Sequence, residues 1–172
     1  MTISKLIKIS TSVTIGVIFI LFLFLLTRHA KVREAYSEFP DTKIEDFNGE
    51  QIAINQKVDI KKPTVILFFD PSCSLCVVKI TKLLERKSQI EDVTLLFVTW
   101  AEKQNVVEFL KDYPINTLQN AQILFDVNFD LSTIYNIQSP PASIFYNDQG
   151  KLITVKKGAI DINVFMSIIN KL

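Results

Sequence analysis

The run Thr64-Val65-Ile66-Leu67-Phe68-Phe69 offers no strongly polar position, and this constrains the chain more than any other segment. A strand with one face in water alternates polar and apolar residues; a strand without alternation must be covered on both faces, as in the middle of a layered α/β sheet. Asp70-Pro71-Ser72 breaks the run, and a segment from about Ser74 to Lys87 follows in which Val77, Ile80, Leu83 and Leu84 recur at helical spacing. Lys79, Lys82, Glu85, Arg86 and Lys87 are expected mostly on its other, solvated side.

The two cysteines of the chain sit at this strand-to-helix junction, as Cys73-Ser74-Leu75-Cys76. The first turn of a helix has unpaired N–H groups and partial positive charge, so it favours a thiolate over a thiol. Cys73 is thereby the candidate nucleophile. Cys76, one turn further in on the same side, is close enough to close a short disulfide and is the candidate resolving thiol. Two other uses compete. Free cysteines are often ordinary core residues, and cysteine pairs bind zinc. A structural disulfide across so short a loop restrains the unfolded chain little. Zinc needs two further ligands, and the single histidine, His29, lies beside the apolar N-terminal segment. The redox reading is preferred, with no metal and no cofactor other than the Cys73–Cys76 dithiol itself.

The 172 residues divide into a short tail at 1–8, an apolar segment at 9–27, a charged tether at 28–40 and one domain at 41–172. Ile9 to Leu26 carries no charge and is about the minimum length that crosses a bilayer. Lys5 and Lys8 before it also resemble the basic front of a cleaved secretory signal, but the bulky basic stretch Thr27 to Arg33 lacks the small-x-small pattern of a cleavage site, so a retained signal anchor is expected. The flanking charges, Lys5 and Lys8 against Arg28, Lys31 and Arg33, do not set its orientation. The dithiol does, because it suits a compartment where disulfides form. The expectation is a single-pass protein of a bacterial cell membrane with its domain on the extracytoplasmic, periplasmic side. Lys and Arg total 19 against 18 Asp and Glu, which leaves no basic footprint for nucleic acid. No feature of the pattern specifies an oligomer.

Within the domain, Asn48-Gly49 between Ile44–Phe47 and Gln51–Ile54 predicts a small N-terminal hairpin. Val93 to Trp100 repeats the buried-strand signature, and strand, helix, strand at this spacing predicts a parallel pair. Glu102 to Tyr113 reads as a helix, Ile123 to Phe125 as a short strand in an otherwise irregular insertion, and Leu131 to Tyr135 as one or two helical turns. Ser139-Pro140-Pro141 leads into an antiparallel hairpin, Ala142–Tyr146 with Lys151–Lys156, and Asp161 caps a last helix, Ile162 to Leu172.

This order, with Phe68-Phe69-Asp70-Pro71-Ser72-Cys73 before the helix and Pro140-Pro141-Ala142-Ser143 before the hairpin, resembles the thioredoxin superfamily, and within it membrane-anchored TlpA-like thiol:disulfide oxidoreductases. The resemblance spans about residues 41–172. It implies a thioredoxin-like three-layer α/β/α sandwich with a mixed central sheet and an N-terminal β-hairpin, preceded here by one transmembrane helix. It also implies that Pro141, or alternatively Pro140, is the cis-proline facing the cysteines, and that both, with Ser72, Ser74 and Leu75, contact substrate. The departures are specific. Ser72 replaces a frequent tryptophan, Ser74-Leu75 replaces Gly-Pro, Lys79 and Thr81 stand where relatives often have glutamate and proline, and Leu67 takes the place of thioredoxin's buried acid. No carboxylate is then obvious as proton acceptor for Cys76; a water or Asp70 remains. Lys79 could favour a nearby thiolate, although a surface lysine is more often merely solvated.

The implied function is thiol:disulfide exchange on protein thiols and disulfides, with a separate redox partner completing the cycle. The alternative is a non-catalytic membrane-tethered module that uses the same fold to hold a membrane-associated partner.

Overall fold

The computed structural model describes residues 15–21, 23, 38–59 and 61–172. The tail expected at 1–8 lies outside the described residues, as do most of the anchor expected at 9–27 and of the tether at 28–40. Residues 15–21 are helical. Among the described residues, no helix is long and apolar enough to cross a membrane.

Residues Glu38–Leu172 form one compact unit. Strands β1 (Lys43–Glu45) and β2 (Gln51–Ala53) make the expected hairpin. Gly49 takes φ 87° at its turn, where a side chain would be strained, and the Asp46 carboxylate accepts from the Asn48 N–H at 2.8 Å. Strand β3 (Thr64–Phe68), helix α1 (Ser74–Leu84), strand β4 (Thr94–Thr99), helix α2 (Lys103–Asp112) and strand β5 (Ala121–Phe125) follow. A short helix α3 (Asp130–Ile134) precedes strands β6 (Ala142–Tyr146) and β7 (Leu152–Lys157), and helix α4 (Ile162–Ile169) closes the chain. The Asp161 carboxylate caps α4 by accepting from the Asn163 N–H at 2.8 Å.

The seven strands form one sheet in the order β2-β1-β5-β4-β3-β6-β7. It is mixed: β3, β4 and β5 run parallel, whereas β1 on β5, β6 on β3 and β7 on β6 are antiparallel. Two expectations change. Ile123–Phe125 is not a fragment within an irregular insertion but the end of a five-residue strand paired on both sides, which joins the N-terminal hairpin to the sheet. The helix expected to reach Lys87 stops at Leu84, and a 3-10 turn, Lys87–Gln89, takes its place.

Every residue of β3 is buried, as an unalternating run requires. Val65 and Leu67 point to one face, where they meet Ile80 and Leu83 of α1, Val106 and Phe109 of α2, and Phe165 and Ile169 of α4. Ile66 and Phe68 point to the other, where they meet Leu131 and Tyr135 at α3 with Ile44 and Ile54. Among the described residues, three α-helices therefore cover one face and a single short α-helix the other. Burial of each large apolar side chain contributes about 1.5–3 kcal/mol, and this two-sided core holds the C-terminal end of β3 rigid where the cysteines begin.

Candidate active site

The chain leaves β3 through a turn that the sequence builds from short polar residues. The Asp70 carboxylate accepts from the Ser72 N–H at 2.7 Å and from the Ser72 hydroxyl at 2.6 Å, while the Asp70 carbonyl accepts from the Cys73 N–H at 3.0 Å. Cys73 is then the N-cap of α1, with extended backbone, and its sulfur accepts from the Cys76 N–H at 3.2 Å. A sulfur in this position satisfies one of the orphan donors of the first helical turn. Cys73 is half-buried and Cys76 fully buried, both as free thiols. Burial first, and then a hydrogen bond to Cys73, pushes the Cys76 thiol up to about 12. One sulfur is thus reachable from solvent and the other is held protonated behind it.

The peptide between Pro140 and Pro141 is cis. Pro141 is buried, Pro140 half-buried. Pro141 shares with Cys76, Leu67, Phe69 and Lys79 the wall of a small cavity of about 10 Å³. Ser72, Ser74 and Leu75 are exposed around the start of α1, and Leu75, with Val78 on the next turn, presents apolar surface to solvent. The structure therefore places Cys73, Cys76 and Pro141 in one neighbourhood, with Ser72, Ser74 and Leu75 on its rim; Pro140 does not line the cavity.

Lys79 departs from its expected position. It is only 7% exposed, its ammonium donates to the Ser143 hydroxyl on β6, and it lies 4.8 Å from the centroid of the Phe165 ring on α4. Burial lowers its pKa to about 8, partly opposed by the charge of Cys76. It faces the core because Cys76, Lys79, Ile80 and Leu83 are spaced i, i+3, i+4 and i+7, the inward stripe of α1. Counting hydrophobic residues alone conceals this, since Lys79 interrupts the stripe chemically but not geometrically.

A broad groove of about 780 Å³ adjoins the cysteine turn, lined by Pro71, Ser72 and Val77 on one side and by Trp100, Phe109 and Tyr113 on the other. Trp100 also packs on Phe129, 5.9 Å between centroids, and Phe129 is half-exposed at a positive φ of 59°. Neither aromatic was singled out by the sequence. Their signal was weak: a tryptophan at a strand end, and a phenylalanine in the loop before α3.

Comparison with known proteins agrees with this fold. The model of a thioredoxin-like domain matches residues 50–172. The methylamine utilization protein MauD of Methylophilus methylotrophus is 21% identical over 114 residues, covering 66% of this chain and 51% of that protein. The chain thus spans about half the length of this curated relative. Among solved structures, MTB dsbF in mixed oxidised and reduced forms superposes with a TM-score of 0.65 at 18% identity, covering 77% of this chain and 98% of that one. A secreted disulfide oxidoreductase of Mycobacterium tuberculosis, homologous to DsbE of E. coli, gives 0.64 at 20% identity, covering 77% and 96%. At these identities the structures speak for the fold, and the matched domain model, over most of the chain, makes this protein a member of the thioredoxin-like family.

Proposed function

We propose that the protein is a thiol:disulfide oxidoreductase in which Cys73 is the nucleophile and Cys76 the resolving thiol. The observation that carries this reading is the Cys76 N–H donating to the Cys73 sulfur at 3.2 Å at the start of α1, where a helix terminus supports negative charge on the attacking atom. The Cys73 thiolate attacks one sulfur of a partner disulfide, the other partner sulfur leaves and takes a proton, and a mixed disulfide remains. Cys76 then attacks Cys73, releases the second partner sulfur and closes the Cys73–Cys76 disulfide. The dithiol loses two electrons and the partner disulfide gains them. In reverse, the oxidised pair donates a disulfide, and a separate redox partner resets the cycle.

Pro141 lines the Cys76 cavity, and with Pro140 before it would present backbone groups to an extended peptide. Ser72, Ser74 and Leu75 form the exposed rim such a peptide would cross. The chemistry uses the dithiol and no other cofactor. The apolar segment at 9–27 serves as a membrane anchor that holds the domain outside the cytoplasm, a location consistent with the secreted oxidoreductase of the same fold.

The test is insulin disulfide reduction followed with trapping of intermediates. Cys73→Ser should abolish turnover, and Cys76→Ser should accumulate mixed disulfides. Retained turnover in the Cys73 variant would remove the assignment. Wild-type protein inert toward disulfides, together with unchanged partner capture by the doubly substituted chain, would replace it with the binding-module reading.

A further inference from the structure

Lys79 is a buried cation for which the exchange reaction above has no use, and three observations fix where it can act. It is one helical turn beyond Cys76 on the inward stripe of α1. It lines with Cys76 the same small cavity, whose other walls are Leu67, Phe68, Phe69, Ile80, Leu83, Phe97 and Pro141. None of those side chains carries an ionisable group. Asp70, the nearest carboxylate in sequence, accepts both Ser72 hydrogen bonds through one oxygen at the exposed turn, and its charge raises the Cys76 thiol further. A cavity of about 10 Å³ holds at most one water, so bulk solvent is a poor acceptor there.

We propose that Lys79 is the proton acceptor for Cys76: its amine, held by Ser143 and Phe165, accepts the Cys76 proton as the mixed disulfide is resolved and passes it to the departing partner thiolate. This rests on the reading of Cys73 and Cys76 as an exchange pair and gives the resolving thiol a proton partner on the inward stripe of α1, distinct from the Asp70 carboxylate at the turn. Lysine suits the task because burial disfavours its charged form, which brings the neutral amine within reach near physiological pH. Burial lowers Lys79 to about 8, and Cys76 is the titratable group that acts on it. The groups that hold it from β6 and α4, the Ser143 hydroxyl and the Phe165 ring, do not titrate in this range. A hydroxyl accepts from an ammonium and donates to an amine, so the Ser143 contact survives both charge states.

The Cys76 S–H bond breaks, its proton joins the neutral Lys79 amine, and the Cys76 thiolate forms beside the resulting ammonium. The thiolate forms the bond to Cys73 as the Cys73–partner bond breaks. The departing partner thiolate takes the proton from Lys79, which is neutral again. The two electrons given up by the dithiol reside on the partner sulfurs.

Two measurements on the intact chain decide this. In the reduced protein, 13C NMR should show the Lys79 ε-carbon titrating near 8, with an inflection of the Cys76 β-carbon at the same pH. In single-turnover quench experiments, decay of the mixed disulfide should quicken as pH rises through that value. Lys79→Met should slow this decay by about 100-fold and remove the inflection. Lys79→Arg, which keeps a charge but does not release its proton, should do the same, whereas a merely structural or fixed-charge role predicts rescue by arginine. The effect should fall on resolution rather than on formation of the mixed disulfide, measured in the Cys76→Ser background. Lys79 titrating above about 10 without a response at Cys76, or a wild-type pH profile in Lys79→Met, would overturn the inference while leaving the exchange reading intact. If the wild type forms no mixed disulfide, the exchange reading fails. The NMR titration then still decides whether the two groups share a proton.

Discussion

Leu67 and Ser143 pair across β3 and β6, so the side chain of Ser143 stands on the helix-covered face of the sheet beside the position that faces the resolving cysteine. That register brings a hydroxyl to the end of the Lys79 side chain, 64 positions earlier in the chain. A single-residue slip would turn Ser143 to the opposite face.

Lys79→Met should make the protein more stable at neutral pH. The folded chain holds Lys79 at about 8 rather than its ordinary 10.5, so between those values the unfolded chain carries a proton that the folded one lacks. Stability from this group therefore rises as pH climbs from about 8 to 10.5, and the penalty is complete below about 8. Urea denaturation of both proteins should show the methionine variant ahead at pH 7 by on the order of 3 kcal/mol, with the gap closing above pH 10. The Cys76 thiol titrates in both chains, so the comparison is best made as a difference. A gap that does not change with pH would mean the lysine is charged and adequately compensated where it sits.

The buried Tyr135 and Tyr146 hydroxyls hydrogen-bond to each other. Tyr135→Phe removes that partner from Tyr146 and should cost about 1–3 kcal/mol, while the double phenylalanine variant should cost less than the two single changes combined. Burial raises both phenols, Tyr146 from 10.0 to about 12. A raised acid contributes stability that is complete below about 10 and lost as pH climbs toward 12. The double variant should therefore resist alkaline unfolding better than the wild type. Additive single costs in a double-mutant cycle would refute the coupling.

Leu75 is 55% exposed on the rim of the cysteine turn. Leu75→Asp should lower kcat/KM for an unfolded protein disulfide by roughly 5-fold, the equivalent of about 1 kcal/mol of lost apolar contact. A small hydrophilic disulfide should react as before. Equal losses on both substrates would point to a change in the thiols and not in binding.

Leu83 is fully buried against α1's neighbours. Leu83→Ala should destabilise the domain by about 2–5 kcal/mol, read from the urea midpoint at constant slope. A loss below about 1 kcal/mol would mean that the site collapses around the smaller residue.

Much of this architecture was legible because the strongest signals were local. The unalternating Thr64–Phe69 and Val93–Trp100 runs announced the central parallel pair, Asn48-Gly49 the hairpin turn, and Asp161 the cap of the last helix. The strand at Ala121–Phe125 was underestimated because its first residues, Ala121 and Gln122, are weak strand formers. Pairing with β4 on one side and β1 on the other imposes the conformation from outside. Lys79 was misplaced for a related reason: its charge suggested solvent, whereas helical phase put it on the buried stripe. Ser143 and Phe165, which receive it, come from distant segments that no local pattern connects.

The unequal cover of the sheet also divides the domain dynamically. The face opposite the thiols is closed by the five-residue helix α3, whose start is tied down by the Asp126 carboxylate through the Leu131 and Ser132 N–H groups. With so little helix to unravel, amide deuteration should begin there, while the amides of α1 exchange only with global opening. Breathing on that side would leave the sulfurs undisturbed, so sequence drift or insertion around α3 is the change this scaffold tolerates at least cost to its chemistry.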